Sequence, residues 1–245
     1  MGLACPQCGS TDVVLNERFD CDFCESCDLW VGVDCADPEC DYCSKRPARP
    51  SMADNTEPSL NPIYIPGEVD ASESFTEDIL EDTPWLDRTE ARGECFMSKG
   101  GGISYTYGQG RGVRTYTSCD YTFAVETVLS HVNVLMDKYG WGHMNGCFLN
   151  LYRHDRQHLG WHADDFRKMD HSCPVVVVSF GEPREIWWRK KGERGAVPAG
   201  NRQLLEPGSV FIMPPGMQFT HEHRIPKGSR NMGPRVSMTF RRFLD

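Results

Sequence analysis

The chain has 245 residues, of which 39% are hydrophobic and 11% aromatic, with a net charge of −9. This composition predicts a globular protein with one sizeable core and a small appendage. No stretch approaches the run of about 18 apolar residues that a membrane-spanning helix needs. The N-terminus shows no basic region followed by an apolar segment, so we expect an intracellular protein that is neither secreted nor membrane-bound.

The charge is unevenly distributed along the chain. Residues 1–95 carry 22 acidic and 6 basic side chains, whereas residues 96–245 carry 13 acidic and 20 basic ones. An acidic protein binds phosphate groups poorly, but the basic region 96–245 has the charge that nucleic-acid binding requires. A solvated surface of mixed charge would give the same numbers, so charge alone leaves both interpretations open.

Cysteines are concentrated near the N-terminus. Eight of the twelve fall within residues 5–43, namely Cys5, Cys8, Cys21, Cys24, Cys27, Cys35, Cys40 and Cys43. Eight thiolates can close two tetrahedral zinc sites, and the absence of a secretion signal favours metal over disulfides. One site could be closed by Cys5, Cys8, Cys24 and Cys27. Pairing with Cys21 fits equally well, so the spacing leaves the zinc ligand partition open.

The organisation after the cysteines indicates a linker and a second domain. Residues 1–43 are predicted to form the zinc-binding module, because so short a segment needs a metal to fold. Residues 44–60 are rich in Pro, Ser and charge and predict a linker. A larger domain is expected over 61–245. Ser72 or Ser74 is predicted to cap a helix that ends near Leu80.

A second helix and a series of short strands are predicted next. Residues 123–139 carry apolar side chains at helical spacing, which predicts a helix packed against a sheet. Gly, Pro and Asn separate the segments that favour strands, which are 146–152, 175–180, 185–189, 203–205, 209–213 and 235–240. This pattern is typical of an antiparallel sandwich or barrel, so the predicted fold is mainly β with flanking helices. Strand alternation places one of Trp187 and Trp188 inside and the other outside.

The region 150–241 contains the residues that indicate chemistry. Two histidines and a carboxylate, His162-x-Asp164 and a later His221 or His223, fit the facial triad of a non-haem Fe(II) oxygenase, which leaves positions open for a co-substrate and O2. Arg235 and Arg241 are six residues apart on a predicted strand and therefore share one face. Guanidinium groups pair bidentately with carboxylates, so the two arginines indicate a dicarboxylate co-substrate.

These motifs together resemble a known family. The order Asn150-x-Tyr152, His162-x-Asp164, His223 and Arg235-x5-Arg241 is similar to that of the AlkB family of Fe(II)/2-oxoglutarate dioxygenases, which oxidatively dealkylate nucleic-acid bases. The resemblance extends over about 61–245 and includes the stretches 92–97, 105–108, 178–181, 208–213 and 234–241. It implies a double-stranded β-helix, or jelly-roll, as the catalytic domain.

The resemblance also implies roles for the site residues. Iron would be bound by His162, Asp164 and His223, since the family's second histidine stands twelve residues before the first arginine. His221 would then line the substrate entrance. Arg235 would pair with the distal carboxylate of 2-oxoglutarate and Arg241 would lie near its chelating end. Asn150 and Tyr152 share a strand face and would hydrogen-bond the carboxylates.

The expected substrate residues follow from the same comparison. Tyr105-Thr-Tyr107-Gly resembles the base-recognition segment, with Tyr107 expected to stack on a flipped base and Tyr105 to hydrogen-bond its edge. An amphipathic edge strand would give the same pattern. Repair members of the family carry an acidic residue two positions after the iron-binding aspartate. Here that position is Phe166, and Asp165 is the candidate to replace it. We identify no hydrophobic wedge for duplex DNA, so single-stranded nucleic acid is the expected form of the substrate.

The predicted function is therefore oxidative demethylation of N-alkylated bases in DNA or RNA by a monomeric enzyme. Fe(II) is the expected cofactor, 2-oxoglutarate and O2 are consumed, and succinate, CO2 and formaldehyde are released. A dioxygenase of the same fold that acts on a protein or a small molecule is the alternative enzyme. A zinc-module adaptor whose barrel only binds ligands is the non-enzymatic alternative. Residues 1–43 hold ten acidic side chains against Arg18 alone. This surface repels phosphate, so we expect the module to bind a protein partner or the basic body.

Overall fold

The chain forms two compact units. The computed structural model describes residues 4–16, 19, 21–32, 43, 46, 49–50, 60–107, 113–164, 168–229 and 231–244. The division falls between residues 1–59 and 60–245, one residue before the domain entry predicted at position 61. In the described part of the chain, no helix is both long and apolar enough to cross a membrane.

The first unit contains a three-stranded antiparallel sheet. Its strands are β1 (Val13–Asn16), β2 (Cys21–Cys24) and β3 (Leu29–Trp30), in that order. Aromatic contacts centre on Trp30, whose ring centroid lies 5.6 Å from that of Phe19 and 6.0 Å from that of Phe23. None of the described cysteines forms a disulfide. A unit of this size therefore depends on another source of stability, and a bound metal is the usual one.

The second unit is built on a seven-stranded antiparallel sheet, the major sheet. In spatial order its strands are β4 (Ile63–Ile65), β14 (Val210–Met213), β11 (Val175–Gly181), β16 (Arg235–Arg241), β9 (Gly146–Tyr152), β6 (Arg92–Ser98) and β5 (Leu86–Thr89). The minor sheet has four strands, β10 (Leu159–His162), β15 (His221–Ile225), β12 (Arg184–Lys190) and β13 (Arg202–Leu205). A separate hairpin consists of β7 (Ser104–Tyr107) and β8 (Arg114–Thr117).

Among the described residues, three α-helices and one short 3-10 helix (Ala199–Asn201) accompany the sheets. Helix α1 (Glu73–Asp82) begins after Ser72, whose hydroxyl accepts a hydrogen bond from the Phe75 amide. Helix α2 (Phe123–Tyr139) begins after Thr122 and ends at Gly140, which takes the left-handed conformation (φ 68°) that glycine adopts without strain. The buried stripe of α2 packs on the major sheet in the larger core. Helix α3 (Met217–Thr220) is a single turn before β15. The cap at Ser72 and the bounds of α2 agree with the sequence prediction.

The two faces of the major sheet differ in character, and β16 shows this most clearly. Val236, Met238 and Phe240 lie in the core beneath α2. The alternating residues Arg235, Ser237, Thr239 and Arg241 face the opposite side and line a cavity between the sheets. A smaller apolar cluster, with Val177 from the major sheet and Ile186 and Ile225 from the minor sheet, closes the space beside this cavity. Polar groups on a buried face are costly unless they serve a ligand or each other, so this cavity is the candidate site.

Candidate active site and cysteine cluster

His162, Asp164 and His223 meet at one end of the cavity. Their potential ligand atoms all lie within 4.8 Å of one another. His162 ends β10 and stands directly opposite His223 of β15 in the strand register, with ring centroids 4.2 Å apart. Asp164 follows two residues later and is buried. Two imidazoles and one carboxylate that converge in this way match the donor set of a facial non-haem iron site.

Hydrogen bonds orient two of the three side chains. The Nδ1 of His162 lies 2.9 Å from the carbonyl oxygen of Gly160, which can only accept a hydrogen bond. The proton is therefore on Nδ1, and the lone pair that can bind a metal is on Nε2. The backbone amide of Asp164 donates to Gln218 Oε1 (2.9 Å), and the Asp164 carboxylate accepts from Arg241 Nη2 (2.8 Å).

The electrostatic surroundings set the protonation states that a divalent cation needs. Burial lowers the pKa of His162. Burial and then the neighbouring His162 lower the pKa of His223 to about 3. Burial alone would raise the pKa of Asp164, but Arg241 and the two histidines outweigh it and lower that pKa to about 2. At neutral pH the site therefore offers two neutral imidazoles and a carboxylate, which is the donor state that binds metal.

The other end of the cavity is a buried cationic pocket. Arg235 is fully buried and donates to Ser179 Oγ (2.9 Å). Among the described residues, its Nε and Nη1 and the hydroxyl of Tyr152 have no hydrogen-bond partner. Burial lowers the pKa of Arg235 to about 10, so the group stays charged at neutral pH. A buried charge with unused donors fits the carboxylate of a ligand.

Three further charged residues were given no role from sequence: Arg92 lines the cavity, whereas Arg184 and Glu94 contact residues that line it. Arg184 is buried, and its Nη2 donates to the carbonyl oxygens of Gln157 (2.9 Å) and Pro226 (2.6 Å). Arg92 donates through Nε to Asn150 Oδ1 (2.7 Å) and forms an ion pair with the buried Glu94. A signal was available, since charged residues at alternating positions of otherwise apolar strands are unusual. The stretch 92–97 contributed to the family resemblance, but only the structure gives these charges their partners.

The remaining predicted residues are a histidine outside the ligand cluster, three residues whose side chains the structure does not describe, and two tryptophans. His221 is half-exposed, contacts Thr220 Oγ1 (2.8 Å between Nδ1 and Oγ1), and is not part of the three-residue cluster. Tyr105 and Tyr107 lie on β7, but their side chains fall outside the described part of the structure. Asp165 also falls outside it. The roles assigned to these three residues stay predictions. Trp188 packs inside against Phe211, whereas Trp187 lies between Arg202 and Arg224 on the other face, as alternation predicted.

A second ligand cluster lies in the first unit. The thiols of Cys5, Cys8, Cys24 and Cys27 are within 4.8 Å of one another. Each pair closes a turn of the same shape. The Gly9 amide donates to the Cys5 carbonyl (2.9 Å) and the Asp28 amide to the Cys24 carbonyl (3.0 Å), with Gly9 and Asp28 both at positive φ. Two such turns facing each other are typical of a four-cysteine zinc site.

The electrostatics of the four thiols favour a cation between them. Backbone amides, first that of Cys8, lower the pKa of Cys5 to about 7. Burial and the neighbouring thiols raise the pKa of Cys27 to about 12. One thiolate therefore forms easily, and its negative charge makes deprotonation of the neighbouring thiols unfavourable. A divalent metal ion would offset this repulsion because it stabilises every thiolate. Cys21 is not part of this cluster, and its Sγ lies 3.4 Å from the Asp22 carbonyl oxygen. Cys35 and Cys40 lie outside the described residues.

Comparisons with known proteins agree with this geometry. The model of a family described as the 2OG-Fe(II) oxygenase superfamily matches residues 73–241. The chain is 31% identical to the bovine alpha-ketoglutarate-dependent dioxygenase alkB homolog 3, over 72% of this chain and 64% of that protein. It is 29% identical to the human homolog 3, over 75% and 68%. The mouse DNA oxidative demethylase ALKBH2 is 35% identical over 41% of this chain and 44% of its own length.

A solved structure is also similar. That of OsALKBH1 superposes with a TM-score of 0.52 at 16% identity and covers 74% of this chain and 98% of that chain. At this identity the likeness shows the fold alone. It confirms the mainly-β jelly-roll architecture predicted from the sequence. The chain spans about two thirds of the length of the homolog 3 proteins and less than half of the mouse ALKBH2 protein.

Proposed function

The chain belongs to the 2OG-Fe(II) oxygenase superfamily, and from this membership we propose that it oxidatively demethylates N-alkylated bases in nucleic acid. The membership and the similar AlkB homologs confirm the predicted family and enzyme class, a dioxygenase that uses Fe(II) and 2-oxoglutarate. The substrate belongs to the proposal, since the relatives are only 29–31% identical to this chain and extend beyond the matched region.

The single observation that carries the proposal is the pairing of a three-residue ligand cluster with a buried arginine in one cavity. His162, Asp164 and His223 would hold Fe(II), and their donor set and protonation states fit that ion. Bound there, Fe(II) with 2-oxoglutarate and O2 would supply the oxidising power, and the protein supplies orientation. Arg241 keeps the Asp164 carboxylate ionised and fixed through its 2.8 Å hydrogen bond.

The other cavity residues would bind and orient 2-oxoglutarate. Arg235 would receive the distal carboxylate on its unused Nε and Nη1 donors, with Tyr152 beside it. Asn150 and Arg241 lie on the same inner face, nearer the ligand cluster, where they would contact the chelating end. Full burial of Arg235 excludes water from this contact, which strengthens it and makes it selective for an anion.

Two observations support nucleic acid as the substrate class. The similar mouse protein is a DNA oxidative demethylase by name. Residues 96–245 of this chain carry 20 basic and 13 acidic side chains, which suits a polyanion. We propose single-stranded DNA or RNA as the preferred form, a monomeric enzyme and an intracellular location, in line with the sequence expectations.

For the first unit we propose a structural zinc site formed by Cys5, Cys8, Cys24 and Cys27. The four converging thiols and the two matching turns support it. A second zinc site that uses Cys21, Cys35, Cys40 and Cys43 stays a prediction. Because residues 1–43 hold ten acidic side chains against one basic one, we propose that this unit binds a protein partner and is not the main contact for phosphate.

The test is a substrate panel with mass-spectrometric detection. The full chain, loaded with Fe(II), is incubated with 2-oxoglutarate and N-methylated DNA or RNA oligonucleotides, each as a single strand and as a duplex. We expect replacement of the methyl group by hydrogen in single strands, with succinate and formaldehyde formed in equal amounts. His223→Ala is the inactive control and His221→Ala the matched active one. Succinate formation that methylated peptides or small molecules stimulate, and oligonucleotides do not, would show that the alternative substrate class is correct.

A further inference from the structure

A buried carboxylate joins the β7–β8 hairpin to the major sheet. Glu94 lies on β6 and is fully buried. Tyr116 Oη, from β8, donates a hydrogen bond to Glu94 Oε2 (3.1 Å). Arg114, also from β8, approaches Glu94 Oε1 with its Nη1 at 3.6 Å. From the sheet side, Arg92 Nη2 lies 2.5 Å from Glu94 Oε1.

The carboxylate is itself held firmly on the sheet side. Arg92 donates through Nε to Asn150 Oδ1 (2.7 Å), and Glu94 stands directly opposite Asn150 in the strand register. The guanidinium between them therefore has two fixed partners. A carboxylate buried in this way is costly unless all its partners stay in place. Glu94 is thus a rigid anchor point and not a mobile surface acid.

The hairpin residues that contact this anchor stand opposite the two predicted base-binding residues. In the β7–β8 register, Tyr116 pairs with Tyr105 and Arg114 pairs with Tyr107. Tyr116 also lines the cavity, and its ring packs edge-on against Phe148 with centroids 4.9 Å apart. Whatever fixes β8 therefore fixes the backbone of the β7 segment that carries both tyrosines.

A second contact holds the hairpin from β5 but does not replace the first. Arg88 donates through Nη1 to the Thr115 carbonyl oxygen (3.0 Å), and its guanidinium carbon lies 4.9 Å from the Tyr116 ring centroid. The hydrogen bond reaches only the backbone, and the guanidinium contacts the face of the ring, so neither contact involves the Tyr116 hydroxyl. The orientation of the Tyr116 ring over the cavity is set by its hydroxyl, which bonds to Glu94.

We propose that Glu94 is a positioning residue that holds the β7–β8 hairpin over the cavity and thereby determines the affinity for the alkylated base. The inference rests on the proposed function, because it assigns the hairpin to substrate recognition. Glu94 acts through Tyr116 and Arg114 and is not among the residues that line the cavity. Its loss affects substrate binding more than the consumption of 2-oxoglutarate in the absence of substrate, because Arg92 can keep its own hydrogen bond to Asn150 when the pair with Glu94 is lost.

The experiment compares Glu94→Gln with the matched control Asp87→Asn in the full chain loaded with Fe(II). Asp87 is a carboxylate of the neighbouring strand β5, paired with Arg153 on the surface. For Glu94→Gln we expect the KM for a methylated single-stranded oligonucleotide to rise about tenfold, as for the loss of a buried charge-assisted contact, with kcat and substrate-free 2-oxoglutarate turnover within about twofold. Asp87→Asn should leave all three unchanged.

A second variant and a second measurement distinguish a failure of this inference from a failure of the proposed function. Tyr116→Phe removes only the hydroxyl and should raise the same KM less. Amide hydrogen exchange over 104–107 and 114–117 needs no substrate, and it should be faster in Glu94→Gln than in the wild type or Asp87→Asn. If the wild type processes no oligonucleotide, the proposed function fails, and the exchange data still decide the role of Glu94. Unchanged exchange, or a Glu94→Gln enzyme that loses 2-oxoglutarate turnover itself, overturns the inference.

Discussion

The two ligand clusters of this chain are assembled in opposite ways. The four thiols come from residues 5–27, on two short turns, and Cys8 is exposed. The second cluster takes His162 from β10, Asp164 from the loop that follows it and His223 from the distant strand β15, and its carboxylate and second histidine are buried. The first cluster is local in sequence and partly exposed, and the second brings together residues distant in sequence and is more deeply buried.

This difference indicates that a metal would create the structure of the first unit, whereas the fold of the second unit creates its metal site. In the first unit the strands are short and the aromatic contacts centre on one residue, Trp30, so a bound metal would hold the turns together and create the structure. In the second unit the register of β10 and β15 and the packing of the two sheets create the ligand geometry before any metal binds. The removal of ligands should therefore unfold one unit and only inactivate the other.

The largest expected effect is the loss of structure in the first unit after zinc removal. Chelation, or Cys24→Ser, should unfold residues 4–32, because a structural zinc contributes roughly 10 kcal/mol or more to such a module. Amide hydrogen exchange measures this region and the second unit in one sample. Ser26→Ala, an exposed change beside the cluster, is the control and should be harmless. Protection of residues 4–32 that survives chelation would contradict the role of metal as the source of structure.

The next effect is loss of chemistry without loss of fold in the second unit. His223→Ala should lower 2-oxoglutarate turnover by more than about 100-fold, since even the loss of a group that supports a metal ligand costs 10- to 100-fold. His221→Ala, two residues away on the same strand, should keep most of the activity. Succinate release measures turnover, and thermal unfolding should show both variants folded. An inactive His221→Ala beside an active His223→Ala would reverse the ligand assignment.

A smaller effect is expected at the far end of the cavity. Arg235→Ala should raise the KM for 2-oxoglutarate, since breaking a buried charge pair costs about 2–5 kcal/mol. Arg235→Lys should restore only part of the affinity, because an ammonium group cannot form the bidentate pair. The KM is read from succinate release at varied 2-oxoglutarate concentrations. An unchanged KM in Arg235→Ala would remove this residue from the co-substrate site.

The smallest effect should follow deletion of the first unit. Removal of 1–59 keeps Leu60, which packs against the smaller apolar cluster of the second unit. Demethylation of short oligonucleotides should stay within about twofold of the full chain, because the acidic module repels phosphate. A deletion variant that folds and binds 2-oxoglutarate but loses most of its oligonucleotide affinity would show that the module is a main substrate contact.

The contrast between the clusters also explains how much the sequence could predict. Helix α2 and the strands β9, β11, β12, β13, β14 and β16 were predicted within about two residues, because their apolar periodicity and flanking glycines and prolines are local signals. Strand β6 was missed although it is central. Its inner face carries Arg92 and Glu94, and these charges hide the alternation that marks a strand.

The sequence predicted which types of residue form the site, but not which of them contact each other. The motif order identified His162, Asp164 and Arg235, but the choice between His221 and His223 depended on the family resemblance, since both stand on one strand face. The structure places only His223 with the other two ligands. Cysteine spacing likewise allowed Cys21 as a ligand, and only the paired turns of the first unit exclude it from the described cluster. Contacts between distant strands, such as that of Arg92 with Asn150, leave no trace in local spacing.

The most direct test of the central claim is the metal content of three proteins, the wild type, Cys24→Ser and His223→Ala, after reconstitution with Fe(II) and Zn(II) and removal of excess metal. Elemental analysis should find both metals in the wild type. Cys24→Ser should lose zinc and keep iron, whereas His223→Ala should lose iron and keep zinc, with its first unit still protected from amide exchange. If either variant loses both metals, or neither, the two clusters are not the separate structural and catalytic sites described here.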